Sequence, residues 1–172
     1  MRGLIHIYCG NGKGKTTAAV GLTVRAAGAG KRVLFAQFFK SGDSSEIAVL
    51  QSLPTVTTYH CDTVGGFFSR MTGEQRAQAA RDYTAMLRLL FDRAQEADLL
   101  VLDEAVSACN HGVIPEAELI RFLGAKPEAL EVVMTGRDPS AALLETADYV
   151  TEMRKIRHPF DAGVRARRGI EF

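Results

Sequence analysis

Two patterns of hydrophobicity alternate along this chain. Short runs of consecutive apolar residues, many β-branched, are separated by longer stretches with apolar residues three and four apart. Residues 4–9 (LIHIYC), 33–38 (VLFAQF), 55–61 (TVTTYHC), 99–102 (LLVL), 131–135 (EVVMT) and 148–153 read as strands. Residues 15–29 are Ala-rich and read as a helix stopped by Gly28 and Gly30. Residues 43–52 suit a short helix, with Asp43 placed to cap it and Glu46 three residues on. Residues 62–71, with Gly65, Gly66, Phe67 and Phe68, read as a loop. The capping-box pattern Thr72-Gly-Glu-Gln75 then opens a long helix to about Ala97, with an apolar stripe at Ala80, Tyr83, Leu87, Leu90, Phe91 and Ala94. Pro115 opens a helix to about Leu123, and Pro139 a short one to Glu145.

Strands this continuously apolar suit a parallel sheet covered on both faces, and their alternation with helices predicts one α/β domain over 1–172. A length of 172 residues, 47% hydrophobic and 24% charged, excludes disorder and coiled coil. No apolar run reaches the length a bilayer requires, so no membrane partner is expected. A formal charge of +1 gives no broad attraction to nucleic acid. Cys9, Cys61 and Cys109 are few, odd in number and far apart, and the N-terminal run lacks the long apolar core of a signal peptide. A cytoplasmic location is the expectation. Residues 154–172 differ from the rest: Arg154, Lys155, Arg157, Arg165, Arg167 and Arg168 stand against Asp161 and Glu171.

The sharpest chemical feature is Gly10, Asn11, Gly12, Lys13, Gly14, Lys15, Thr16 and Thr17, between an expected strand and an expected helix. Glycines let successive backbone N–H groups turn toward one anion, and the helix N-terminus adds partial positive charge. Lys15 would neutralise phosphate oxygens and the Thr16 hydroxyl would ligate Mg²⁺. The usual pattern has a glycine where this chain has Cys9. The run Leu99–Glu104 ends in Asp103-Glu104, and an acid at the C-terminal end of a parallel strand faces the ligand crevice. It can hold the metal or cap the next helix. Arg137, after Thr135-Gly136, would face the same edge, either on phosphate or in a surface ion pair. His60-Cys61-Asp62 and Cys109-Asn110-His111 contain ligand-type residues without zinc-site spacing and read as structural.

Together these pieces resemble the P-loop type of ATP:corrinoid adenosyltransferase. The resemblance starts at Arg2-Gly3-Leu4 and takes in 10–19 (GNGKGKTTAA), Arg25, Gln37-Phe38-Phe39-Lys40, Gly66-Phe67, VLDE (101–104) and TGR (135–137). It ends on His158-Pro-Phe-Asp161 and Gly163 through Gly169-Ile170, a tail that generic P-loop proteins lack, and the non-glycine residue at position 9 fits it too.

The resemblance implies a P-loop NTPase-like (RecA-like) three-layer α/β sandwich with a mostly parallel central sheet. It implies transfer of the 5′-deoxyadenosyl group of ATP to Co(I) of a reduced corrinoid, with triphosphate leaving whole. It implies Mg²⁺ (or Mn²⁺) on Thr16 and Glu104, with Lys15, Thr16 and Glu104 as catalytic residues. Residues 10–17, Arg25 and Arg137 would bind nucleotide, Arg25 in a phosphate or a structural role. Phe67 matches an aromatic that displaces the lower axial ligand of cobalt; the second aromatic of that loop falls at Ser69, and Phe68 is the available substitute. Ordinary core packing is the alternative for both phenylalanines. A flavin or flavoprotein reductant and a homodimer are further expectations from the resemblance. Two other functions fit the phosphate loop alone: a phosphotransferase or ATPase that makes ADP, and a non-catalytic nucleotide- or RNA-binding module using the basic tail.

Overall fold

The computed structural model describes residues 2–40, 44–61 and 71–171. The expected roles of Asp43, Phe67, Phe68 and Ser69 therefore lie outside the described residues. Six strands form one sheet: β1 (Ile5–Cys9), β2 (Val33–Gln37), β3 (Val56–Tyr59), β4 (Leu99–Asp103), β5 (Glu131–Thr135) and β6 (Tyr149–Glu152). Every pairing is parallel, and the order is β3-β2-β4-β5-β1-β6. Parallel strands need crossovers, and the helices supply them: α1 (Lys15–Gly28), α2 (Ser45–Gln51), α3 (Gly73–Arg93), α4 (Ala105–Asn110), α5 (Glu116–Ala125) and α6 (Ala141–Thr146).

The helices divide between the two faces. Val33, Phe35, Leu99, Val101 and Val133 pack on one side with Ala19 and Ala26 of α1 and Ile47 and Leu50 of α2. Ile5, Ile7, Leu34, Ala36, Leu100, Leu102, Val132 and Met134 pack on the other with α3 to α6. β2 and β4 are buried at all five positions, which explains their unbroken apolar runs. The three-layer α/β sandwich expected from the sequence is present.

Local signals explain most boundaries. The Thr72 hydroxyl accepts from Gln75 N at 3.2 Å, and Gln75 Oε1 accepts from Thr72 N at 2.8 Å, so the capping box that opens α3 is formed. α3 stops at Arg93 and a single 3-10 turn, Ala94–Glu96, carries the chain to β4. The face of α3 is shifted from the expected stripe. Ala79 and Met86 are buried with Tyr83, Leu87 and Leu90, while Ala80 is only partly covered. Phe91 sits at the margin and stacks on Phe122 of α5, with ring centroids 3.9 Å apart.

One helix lies outside the expected elements, and one expectation fails. α4 is not visible in the sequence, because its six residues AVSACN carry neither a strong cap nor a full turn of amphipathic spacing. β6 is exposed at all four positions instead of being covered, since it lies at the sheet edge beyond β1.

Phe35, fully buried in the middle of β2, reports on the α1/α2 face. Phe35→Ala should cost about 3–5 kcal/mol, because it loses the transfer term and leaves a cavity between β2 and the helices. Urea unfolding followed by circular dichroism would show this as a lower midpoint.

Candidate active site

β1 runs into the glycine loop and the loop runs into α1, so the backbone N–H groups of 10–16 gather at the C-terminal edge of the sheet. Gly10 and Gly14 adopt φ values of 99° and 117°, which side-chain-bearing residues rarely adopt. Gly12 is needed for another reason. Its N–H donates to Met153 O at 2.6 Å, and a Cβ built on it would lie 2.6 Å from that oxygen. The chain leaving β6 thus passes directly against the loop. Lys155 N also donates to Asn11 Oδ1 at 2.8 Å.

Lys15 is folded onto its own loop, its ammonium donating to Gly10 O and Gly12 O, both at 2.8 Å. Burial holds its pKa below the usual lysine value. Glu104 works against that shift, and Arg137 adds to it. Thr16 Oγ1 donates to Asp103 Oδ1 at 2.9 Å. Asp103 is fully buried and also accepts from Thr135 Oγ1 at 2.7 Å, Lys40 Nζ at 3.2 Å and Gln37 Nε2 at 3.3 Å.

A cavity of about 280 Å³ is lined by the whole of 11–17 with Lys40, Glu104, Arg137, His158 and Glu171. It brings together Lys15, Thr16, Glu104 and Arg137, as the sequence reading grouped them. Glu104 begins α4 in a left-handed conformation (φ 62°), its N–H donating to Thr135 Oγ1 at 2.8 Å and its carboxylate accepting from Ser107 Oγ at 2.6 Å. It therefore stands at the helix-cap position and on the cavity wall at once. Gly136 makes the approach of Arg137 possible: a Cβ there would meet Val106 Cβ of α4 at 2.6 Å.

Arg25 is not in this group. It lines a separate cleft of about 420 Å³ with Arg2, Lys31, Asp98 and Glu131. Ten residues of α1 separate it from Lys15, roughly 15 Å along the axis, which places it at the opposite edge of the sheet.

The tail contributes two further residues to the cavity wall: His158, from the tail pattern of the resemblance, and Glu171, which lies beyond it. Glu171 lines the phosphate-loop cavity, its carboxylate held down to about 2 chiefly by hydrogen bonds from the side chain and the N–H of Arg167. His158 is on the same wall and caps the 3-10 turn Pro159–Ala162, with Nδ1 accepting from Phe160 N at 3.2 Å. A second cavity, of about 440 Å³, lies between Gly12, Lys13 and the tail from Arg154 to Glu171.

Asp103 and Lys40 are the further site residues the candidates omitted. The signal for Asp103 was its place at the end of an apolar strand. That Asp103 would turn inward and Glu104 toward the cavity is set by the turn into α4.

Cys9 is buried and its thiol pushed up mainly by burial, and the Cys109 thiol is pushed up to about 12 for the same reason. Asn110 Nδ2 holds the 137–138 turn by donating to Arg137 O and Asp138 O. Among the described residues no group of three His, Cys, Asp or Glu could hold a metal by itself. The donors beside the phosphate loop are oxygens: Thr16 Oγ1 and Glu104, with Asp103 behind them. That set fits Mg²⁺ or Mn²⁺, which are held by few protein oxygens and completed by water and phosphate.

Fold and site define a nucleotide-binding protein of the P-loop class. The cytoplasmic domain of EssC shares the fold, with a TM-score of 0.56 and 15% identity over 95% of this chain and 35% of that one. The relatives are more specific. The chain is 37% identical to corrinoid adenosyltransferase CobA of Salmonella typhimurium, covering 99% of this chain and 86% of that protein. It is 35% identical to the corrinoid adenosyltransferases of Pseudomonas aeruginosa and Escherichia coli K12, again over 99% of this chain and over 84% and 86% of those proteins. Residues 1–172 match the family described as ATP:corrinoid adenosyltransferase BtuR/CobO/CobP, and the chain belongs to that family.

Gly12→Ala should destabilise the protein by about 1–3 kcal/mol, the usual cost of overpacking, and should weaken ATP binding, because the added methyl meets Met153 O. Thermal melting and nucleotide titration on one sample would measure both. The Lys15 environment sets a pH dependence. An anion favours the charged amine, so affinity stays level below the free-state pKa of Lys15 and falls as pH rises through it. Inorganic tripolyphosphate titrated across the alkaline range should show the fall beginning earlier than for an ordinary lysine.

Proposed function

We propose that this adenosyltransferase moves the 5′-deoxyadenosyl group of ATP onto Co(I) of a corrinoid and releases triphosphate whole, in adenosylcobalamin synthesis or salvage. The observation that carries the reading is the intact loop 10–17, with Lys15, Thr16, Glu104 and Arg137 around one cavity in a chain of this family. The cobalt electron pair forms the Co–C5′ bond, the C5′–O5′ bond breaks, and its pair stays on the triphosphate oxygen. Co(I) is already a strong nucleophile, so the protein need not supply a base to activate it.

What remains for the protein is orientation and charge. Lys15 leaves the carbonyls of Gly10 and Gly12 and donates to phosphate oxygens, while loop N–H groups take the others. Arg137 adds a second cation on the same wall. Mg²⁺ or Mn²⁺ on Thr16 and Glu104, when bound, supplies further neutralisation of the triphosphate. Asp103 fixes the Thr16 hydroxyl through its hydrogen bond, leaving the Thr16 oxygen lone pairs for the ion.

The same proposal includes a flavin or flavoprotein reductant, a homodimer and a cytoplasmic location. The family resemblance supports these. No helix among the described residues is long and apolar enough to cross a membrane. Nucleic acid is not a proposed partner, consistent with the formal charge of +1.

Anaerobic incubation with MgATP and chemically reduced cobinamide or cobalamin tests the reading. A light-sensitive cobalt–carbon bond and triphosphate without ADP are expected. ADP with no alkyl-cobalt product would establish a phosphotransferase instead. Lys15→Ala should lower turnover by at least a thousandfold at unchanged melting temperature, since it removes the cation at the phosphate chain and leaves the core intact.

A further inference from the structure

The chain turns sharply just past β2, and the turn is expensive. Phe39 adopts φ 58°, a left-handed conformation that costs a bulky residue about 1–3 kcal/mol. The surroundings over-determine it. Phe39 N donates to Tyr83 Oη at 2.8 Å, and the Phe39 ring meets Tyr83 and His111 edge-on at 5.9 and 5.6 Å. Phe38 is fully buried, its ring 5.4 Å from that of Tyr83. Tyr83 itself is fully buried in α3, with its hydroxyl pushed up to about 12 by burial, so it stays a neutral acceptor.

The turn directs Lys40 back over the ends of β2 and β4. Its ammonium lies 3.2 Å from Asp103 Oδ2 and 3.5 Å from Glu46 Oε1. Gln37 Nε2 joins the same two carboxylates, at 3.3 and 3.0 Å. An ordinary surface ion pair does not reach a carboxylate with no exposure, as Asp103 has. Thr16, Thr135 and Gln37 also donate to Asp103, and Lys40 is the cation among its four donors. An ammonium has three N–H groups, and two carboxylates accept from this one among the described residues. Lys40 also lines the phosphate-loop cavity with Lys13, Lys15 and Arg137.

We propose that Lys40 is a second triphosphate-binding lysine, anchored on Asp103 and Glu46, that donates to the phosphate chain in the phosphate-loop cavity, and that Tyr83 is its positioning residue. This rests on the adenosyltransferase reading. A leaving group that keeps all three phosphates and gains the C5′–O5′ electron pair carries more charge than one lysine neutralises. A second ammonium held in place before the bond breaks stabilises that charge without reorganisation.

The test compares wild type, Lys40→Met, Lys40→Arg, Tyr83→Phe and Lys15→Ala. Calorimetry with inorganic tripolyphosphate and Mg²⁺ gives affinity, turnover gives kcat and KM, cobinamide titration gives corrinoid affinity, and melting checks the fold. Lys40→Met should weaken tripolyphosphate binding at least tenfold and lower kcat by a similar factor, with cobinamide affinity unchanged. Lys40→Arg should recover most of the loss. Tyr83→Phe should lower kcat several-fold, and combining it with Lys40→Met should lower kcat no further than Lys40→Met alone. If Lys40→Met does not fold, Lys40→Gln, which can still donate toward the carboxylates, carries the same comparison. Undiminished tripolyphosphate affinity and kcat in a folded Lys40 variant, with Lys15→Ala deficient, would overturn the Lys40 proposal alone. Tripolyphosphate bound equally by wild type and Lys15→Ala, with no adenosylcorrinoid formed, would overturn this proposal and the functional reading together.

Discussion

A carboxylate with no exposure to water has to be satisfied from within, and Asp103 draws its donors from four directions. Thr16 reaches it from the start of α1, Thr135 from the end of β5, Gln37 from the end of β2, and Lys40 from the turn beyond β2. Losing any of these donors would leave part of a buried charge uncompensated. The neighbouring strands β2, β4 and β5 must therefore end level with one another, and the phosphate loop must close at the same height. The register agrees, with Gln37 beside Asp103 and Leu102 beside Met134. Site geometry and sheet geometry are here one hydrogen-bonding requirement.

Much of this was legible in the sequence because the signals were local. Strands buried on both faces announce themselves as apolar runs, and α1 was framed by the loop before it and the glycines after it. The capping box placed the start of α3 through the reciprocal Thr72 and Gln75 bonds. The phosphate loop was read from composition and position together. What escaped depended on contacts between distant parts of the chain. α4 is short and is held by packing of Ala105, Val106 and Ala108, not by its own propensity. Strand pattern alone does not separate Asp103 from Glu104, which the resemblance did, because the left-handed turn at Glu104 decides which of them faces the cavity. Arg25 was grouped with the nucleotide site through the family pattern, but helix geometry carries it to the other edge of the sheet.

The tail shows a further limit of motif reading. Its basic character sets it apart in the sequence, yet the tail residues that line the phosphate-loop cavity are His158 and Glu171. Its backbone matters as much. Met153 O accepts from Gly12 N, and that contact is one reason position 12 must be glycine. A residue at one end of the chain thus restricts side-chain choice near the other.

That dependence has a consequence for how the protein is made. β1 and the phosphate loop are synthesised before β5 and β6, the strands with which β1 pairs among the described residues. Ile5 waits for Val132, His6 for Tyr149, and Gly12 for Met153. An unfinished chain therefore exposes β1 without either neighbour and cannot assemble a nucleotide site. Pairings this distant in sequence also slow folding. A chain that stops before β6 leaves one edge of β1 open and Gly12 without the Met153 carbonyl it donates to.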